Sequence, residues 1–104
     1  MVNGKWRAMF KYKKINSGKG FIEAFSINLQ NKNFVLLKGK IGYIMCGYLN
    51  MRVAEKFKDI AVKIVGVSTI EDAFKAKVAG CTSAAKRLGI KNGQAIKDVL
   101  KIIA

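Results

Sequence analysis

An α+β fold follows from a change of pattern midway along the 104-residue chain. The first half alternates apolar and polar residues with period two, the mark of half-buried strands, while the second half shifts to apolar spacings of three and four. No proline interrupts either half, so no rigid linker divides the chain. The sequence predicts a single small domain over residues 1–104: a mainly antiparallel N-terminal sheet, then helix, strand, helix and helix. Residues 1–46 form a strand-rich half expected to oligomerise, and residues 47–104 a helix-rich half.

The first strand shows the alternation most fully. Trp6, Ala8, Phe10 and Tyr12 interleave with Lys5, Arg7, Met9, Lys11 and Lys13, placing aromatic rings on one face and mostly cations on the other. Asn16-Ser17-Gly18-Lys19-Gly20 reads as a turn, since glycine and asparagine tolerate positive φ. Phe21, Phe25, Ile27 and Leu29 then alternate with Ile22, Ala24, Ser26, Asn28 and Gln30, with Glu23 as a misfit on the Phe21 face. Asn31-Lys32-Asn33 is expected to turn the chain into Phe34-Val35-Leu36-Leu37, which is apolar on both faces and needs cover on both. Gly39 to Gly42 turns it again into a strand over Tyr43–Cys46.

Met51, Ala54 and Phe57 then recur at helical spacing, with Asn50 as N-cap. The β-branched run Ile60–Val67 predicts a central strand. Ser68-Thr69-Ile70-Glu71 matches a capping box, with Ser68 capping and Glu71 reaching back. A further helix is expected from Thr82 to Leu88, closed by Gly89 with Ile90 in the apolar contact of a Schellman ending. Asn92 would open a last helix whose stripe is Ala95, Ile96, Val99, Leu100 and Ile103.

Composition excludes several chemistries. Twenty Lys and Arg against six Asp and Glu give a formal charge of +14, and histidine is absent. That charge attracts phosphates and acidic surfaces, but the lysines are scattered from Lys5 to Lys101 rather than gathered in one tract. Cys46 and Cys81 have no CxxC spacing and no histidine to complete a ligand set, so no metal site and no cofactor are expected. No apolar run of about 18 residues exists to span a membrane, and the start lacks a signal-peptide core. Cytoplasmic localisation with reduced thiols is the expectation.

The candidate chemistry centres on Gly42-Tyr43-Ile44-Met45-Cys46-Gly47. Cys46 is either a small core residue or a nucleophile activated by Lys38, Lys40 or a following helix N-terminus; a Cys-His mechanism within one chain is excluded. The turn Lys38-Gly39-Lys40-Ile41-Gly42 could cradle an anion with its backbone N–H groups, yet lacks the nucleotide-binding GxxxxGK[ST] spacing. Lys19-Gly20-Phe21 with Phe25 partly matches the aromatic strand of RNA-binding sheets, and Ile22 and Glu23 break the match. The end of the Tyr43–Cys46 strand is the expected anion site, near Gly47 and Asn50, with Tyr43 or Asn33 and Lys63 as polar partners.

The Tyr-Ile-Met-Cys-Gly block, Val65-Gly66-Val67-Ser68-Thr69-Ile70-Glu71-Asp72 and Leu88-Gly89-Ile90 resemble the signature of the YunC-like proteins, a bacterial and archaeal family of unknown function. The resemblance runs from about Gly20 to Leu100. Leu29 to Asn33 is similar to a family Leu-Pro-Lys-Thr-Asn segment with Gln30 in place of proline; Asn50 stands where aspartate is expected and Lys63 where arginine is expected. The resemblance implies an α+β domain whose N-terminal sheet helps it self-assemble, and assigns no catalytic residue. Three functions are therefore expected to compete. One is a self-assembling cytoplasmic module binding a small anionic ligand or a protein partner. The second is a thiol-dependent enzyme using Cys46, with Lys38, Lys40, Asn33 or Tyr43 orienting its substrate. The third is a sequence-independent nucleic-acid binder acting through the basic strand Lys5–Lys14.

Overall fold

The computed structural model describes residues 10–104; the expected strand positions Lys5 to Met9 lie outside them. Six strands form one sheet in sequential order: β1 (Phe10–Asn16), β2 (Phe21–Leu29), β3 (Lys32–Lys38), β4 (Tyr43–Met45), β5 (Ala61–Lys63) and β6 (Gly80–Cys81). Among the described residues four helices complete it: α1 (Met51–Lys56), α2 (Ile70–Lys75), α3 (Ser83–Arg87) and α4 (Ile96–Ile103). All neighbouring strands are antiparallel except β4 and β5, which run parallel. The α+β expectation therefore holds, with one parallel pair inside a mainly antiparallel sheet.

Period two sorts the side chains as the alternation requires. Ile22 and Ala24 of β2, Val35 and Leu37 of β3, Ile44 of β4 and Val62 of β5 are fully buried on the inner face. They pack with Ile70 and Ala73 of α2, Ala85 of α3 and the Ile96, Val99, Leu100 and Ile103 stripe of α4. On the outer face the register aligns Phe10, Ile27 and Phe34 in one row and Tyr12, Phe25, Leu36 and Met45 in the next. A smaller cluster covers part of that face, where Leu49, Met51 and Ala54 meet Tyr43, Met45 and Ala61.

Several boundaries move from their expected places. The β2–β3 turn is Gln30-Asn31, with Gln30 at φ 52°, so Lys32 and Asn33 belong to β3 rather than to the loop. The expected strand Ile60–Val67 shrinks to Ala61–Lys63, because beyond Ile64 the chain leaves the sheet for α2. Thr69, not Ser68, caps α2: its Oγ1 accepts from the Asp72 N–H at 3.0 Å while Asp72 Oδ2 accepts from the Ser68 N–H at 3.1 Å. The cap thus moves one residue later than expected, the returning carboxylate is that of Asp72 and reaches the residue before the cap, and Glu71 instead faces Lys13 at 3.6 Å. Cys81 lies in β6, directly before Thr82, which caps α3. The last helix starts at Ile96, not Asn92, with Ala95 as an uncapped N-cap.

The Schellman ending of α3 forms as expected. The Gly89 N–H donates to the Lys86 carbonyl and the Ile90 N–H to that of Ala85, with Gly89 at φ 92° and Ile90 buried. Asn50 caps α1, its Oδ1 accepting from the Val53 N–H at 3.2 Å.

Candidate functional site

The parallel pair β4 and β5 opens a concavity beyond its carboxyl ends. After β4 the chain turns to the outer face, where α1 packs on Tyr43, Met45 and Ala61. After β5 it crosses to the inner face, where α2 buries Ile70 and Ala73 in the main core. Adjacent parallel strands whose connections leave to opposite faces open a cleft beyond their carboxyl ends, the place where open sheets of this kind bind ligands. Here that cleft has a volume of about 610 Å³, within the size range of small-molecule sites. Cys46, Gly47 and Tyr48 follow β4 into it, Val65 to Ser68 follow β5, and Asn28, Asn31, Lys32 and Asn33 close it from the β2–β3 hairpin.

Its chemistry favours an anion. No lining residue carries a carboxylate, whereas Lys32 is cationic. Among the described residues, the N–H groups of Gly47, Tyr48, Gly66 and Val67 donate to no protein acceptor. Gly66 holds φ 72°, a conformation that L side chains rarely adopt, and open space surrounds its Cβ position. The polar rim is fixed by Asn33, whose Nδ2 donates to the Ser68 carbonyl at 2.7 Å while its Oδ1 accepts from Asn28 Nδ2 at 2.9 Å. Tyr48 is half-exposed at the mouth, its ring 6.0 Å from that of Phe34.

Of the six residues expected to form a ligand site, the structure brings three together: Asn33, Cys46 and Gly47. The others stand outside the cleft. Asn50 is occupied as the α1 cap. Tyr43 points to the outer face, where its hydroxyl donates to Asp59 Oδ2 at 2.7 Å; burial first, then that hydrogen bond, pushes its pKa up to about 12. Lys63 pairs with Met45 and Gly80 in the sheet and lies on the same outer face. Lys38 precedes the Gly39–Gly42 turn and Lys40 lies within it, at the opposite end of β4, as expected, and this turn docks on the end of α4 rather than forming a cradle. Among the described residues, no group of three His, Cys, Asp or Glu side chains could hold a metal ion.

Sequence reasoning missed Asn28, Tyr48, Gly66 and Ser68. A strand, a short helix and a strand in succession from Tyr43 to Lys63 is the pattern of a βαβ crossover, which makes its strands parallel. That pattern would have directed attention to the segment after the second strand, where Gly66 and Ser68 lie.

Cys46 is a core residue at the base of this cleft, only 4% exposed. Its Sγ accepts from the Val35 N–H at 3.3 Å and its own N–H donates to the Val35 carbonyl at 3.1 Å, pinning it to β3. Cys81 is also buried, and burial pushes its thiol pKa up, with Lys86 opposing and Glu55 adding to the shift. Both thiols are therefore expected to alkylate at neutral pH at least about tenfold more slowly in the native protein than in denaturant. Mass spectrometry of a timed alkylation checks this; rapid, selective labelling of Cys46 would restore the nucleophile.

Comparison with known proteins places this architecture. A family described as "Domain of unknown function (DUF1805)" matches residues 45–103, a span that includes Cys46 to Tyr48 and Val65 to Ser68 but not the β2–β3 hairpin. The uncharacterised protein YunC of Bacillus subtilis is 37% identical over 81 residues, which cover 74% of this chain and 80% of YunC. The crystal structure of a protein of unknown function, TA1206 from Thermoplasma acidophilum, superposes with a TM-score of 0.89 at 35% identity, covering 92% of this chain and 94% of that one. None of the four helices is long and apolar enough to cross a membrane, among the described residues. The family match spans more than half of the chain, and the relatives agree with it: the chain belongs to the YunC-like DUF1805 family.

Proposed function

We propose that this chain is a small cytoplasmic module that binds a compact anionic group in the cleft at the carboxyl ends of β4 and β5, and that assembles with copies of itself through its outer sheet face. The observation that carries the reading is the switch point itself: two parallel strand ends, diverging connections, free N–H groups and no carboxylate on the lining. The chain's +14 charge adds a long-range attraction for anions.

Gly47 supplies the test. Nothing lies within 4 Å of a Cβ built there, and its backbone is outside the left-handed region, so Gly47→Phe should fold normally while filling the cleft. Titration with inorganic phosphate, sulfate and citrate is expected to raise the melting temperature of the wild type with the logarithm of ligand concentration once it exceeds Kd. At ten times Kd the gain is about 1.4 kcal/mol, or about 6 °C for a domain of this size. The same titration of Gly47→Phe should give a markedly smaller gain at every concentration. An equal response in both proteins, or none in the wild type, removes the site.

Self-assembly is supported by the outer face. Phe10, Tyr12 and Phe21 are about half exposed there, and α1 covers only β4 and β5. An apolar patch of this kind on a small chain marks an interaction surface. Light scattering at micromolar concentration should report a dimer or larger; a clean monomer counts against assembly. The enzyme reading through Cys46 rests on its place at the base of the cleft and weakens with its burial.

A further inference from the structure

The cleft does not end at the β2–β3 hairpin. Asn28, Asn33 and Ser68 line both it and a second depression of about 860 Å³ on the inner side of β1 and β2. Ser26 and Asn28 contribute to this second part from β2, and Lys11 and Lys13 from β1. The hydrogen-bonded chain from Asn28 through Asn33 to the Ser68 carbonyl forms a polar saddle between the two parts. Cationic side chains therefore line both parts of one trough, Lys32 in the cleft and Lys11 and Lys13 on β1, with amides and hydroxyls between them. Glu71 is the single carboxylate on either lining, and it already faces Lys13 at 3.6 Å. Lys11 has no carboxylate within ion-pair distance among the described residues.

A compact oxyanion would occupy a small part of this trough and leave Lys11 unused. We infer that the natural ligand is an elongated molecule with an anionic group at each end and a hydroxylated middle, of the sugar-bisphosphate class. One phosphate sits between Gly47 and Gly66, the hydroxyls lie over the Asn28–Asn33–Ser68 saddle, and the second phosphate reaches Lys11. This rests on the anion-binding reading of the cleft given above. Lysine suits the outer end because its ammonium acts as a mobile point charge that needs no fixed fork geometry.

Calorimetric titration of the full chain at physiological salt, with inorganic phosphate, fructose 6-phosphate and fructose 1,6-bisphosphate, tests it. The bisphosphate is expected to bind about tenfold or more tighter than either of the other two. Lys11→Ala should erase that gain without altering phosphate affinity, because Lys11 is exposed on an edge strand and remote from Gly47. Lys101→Ala, an equal loss of charge on an exposed turn of α4, should leave all three affinities unchanged. If phosphate binds but the bisphosphate gains nothing, or the gain survives Lys11→Ala or falls equally in Lys101→Ala, the elongated ligand is wrong and the cleft reading stands. If none of the three binds, both are overturned.

Discussion

Replacing Gly39 by alanine is expected to destabilise the protein by about 3 kcal/mol, at the upper end of what overpacking typically costs. A Cβ at this position would lie 2.2 Å from the Ile103 carbonyl oxygen, 2.7 Å from its carbonyl carbon and 2.9 Å from Ile103 Cγ1. Two of those atoms are backbone, so no side-chain rotation relieves the clash. The turn cannot retreat freely either, since the Gly39 N–H donates to the Gly42 carbonyl at 2.8 Å and the Ile41 N–H to the Ile103 carbonyl at 3.1 Å. The adjustment must come from α4, which carries Ile96, Val99 and Ile103 into the core. Urea denaturation should show a lower midpoint with little change in slope. Gly47→Ala, made into open space, should stay within about 0.5 kcal/mol of the wild type. Equal midpoints for Gly39→Ala and the wild type would show that the turn does not dock as described.

Thr82→Val should cost about 2–4 kcal/mol although it conserves shape. Thr82 is fully buried. Its Oγ1 donates to the Asp59 carbonyl at 2.6 Å and accepts from the Ala61 N–H at 3.2 Å and the Ala85 N–H at 3.3 Å. One hydroxyl thus caps α3, ties the start of β5 and holds the end of the α1–β5 connection. Valine would leave two N–H groups and a carbonyl without that partner in a region closed to water. Thr82→Ser keeps the oxygen and should recover most of the loss. A valine variant as stable as the wild type would mean that these bonds contribute nothing net.

The four N-terminal strands were legible because the alternation is strong and each pair is separated by turn chemistry. The burial of Ile22, Ala24, Val35, Leu37 and Ile44 follows that alternation residue by residue. The stripe of α4 was legible for the same reason at helical period. What escaped were features set by tertiary contact. β6 is two residues long, and Gly80 and Cys81 become strand only because Val62 and Lys63 offer an edge. Ile64 to Val67 are as β-branched and apolar as the residues before them, yet leave the sheet because α2 must reach the inner face. Asn33 moved from a turn to a strand because Gln30 accepts positive φ and takes the turn itself. The site is half legible for one cause: the end of β4 stands out in the sequence, whereas the place of Gly66 and Ser68 beside it depends on β4 and β5 running parallel.

The central claim is that an anion enters the cleft between the ends of β4 and β5. Titration of ¹⁵N-labelled protein with inorganic phosphate, followed by amide chemical shifts, tests it most directly. The account predicts saturable shifts at Gly47, Tyr48, Gly66 and Val67, with one common Kd and little change at the Lys38–Gly42 turn. Shifts that grow linearly with phosphate, or that follow the exposed lysines wherever they lie, would contradict it.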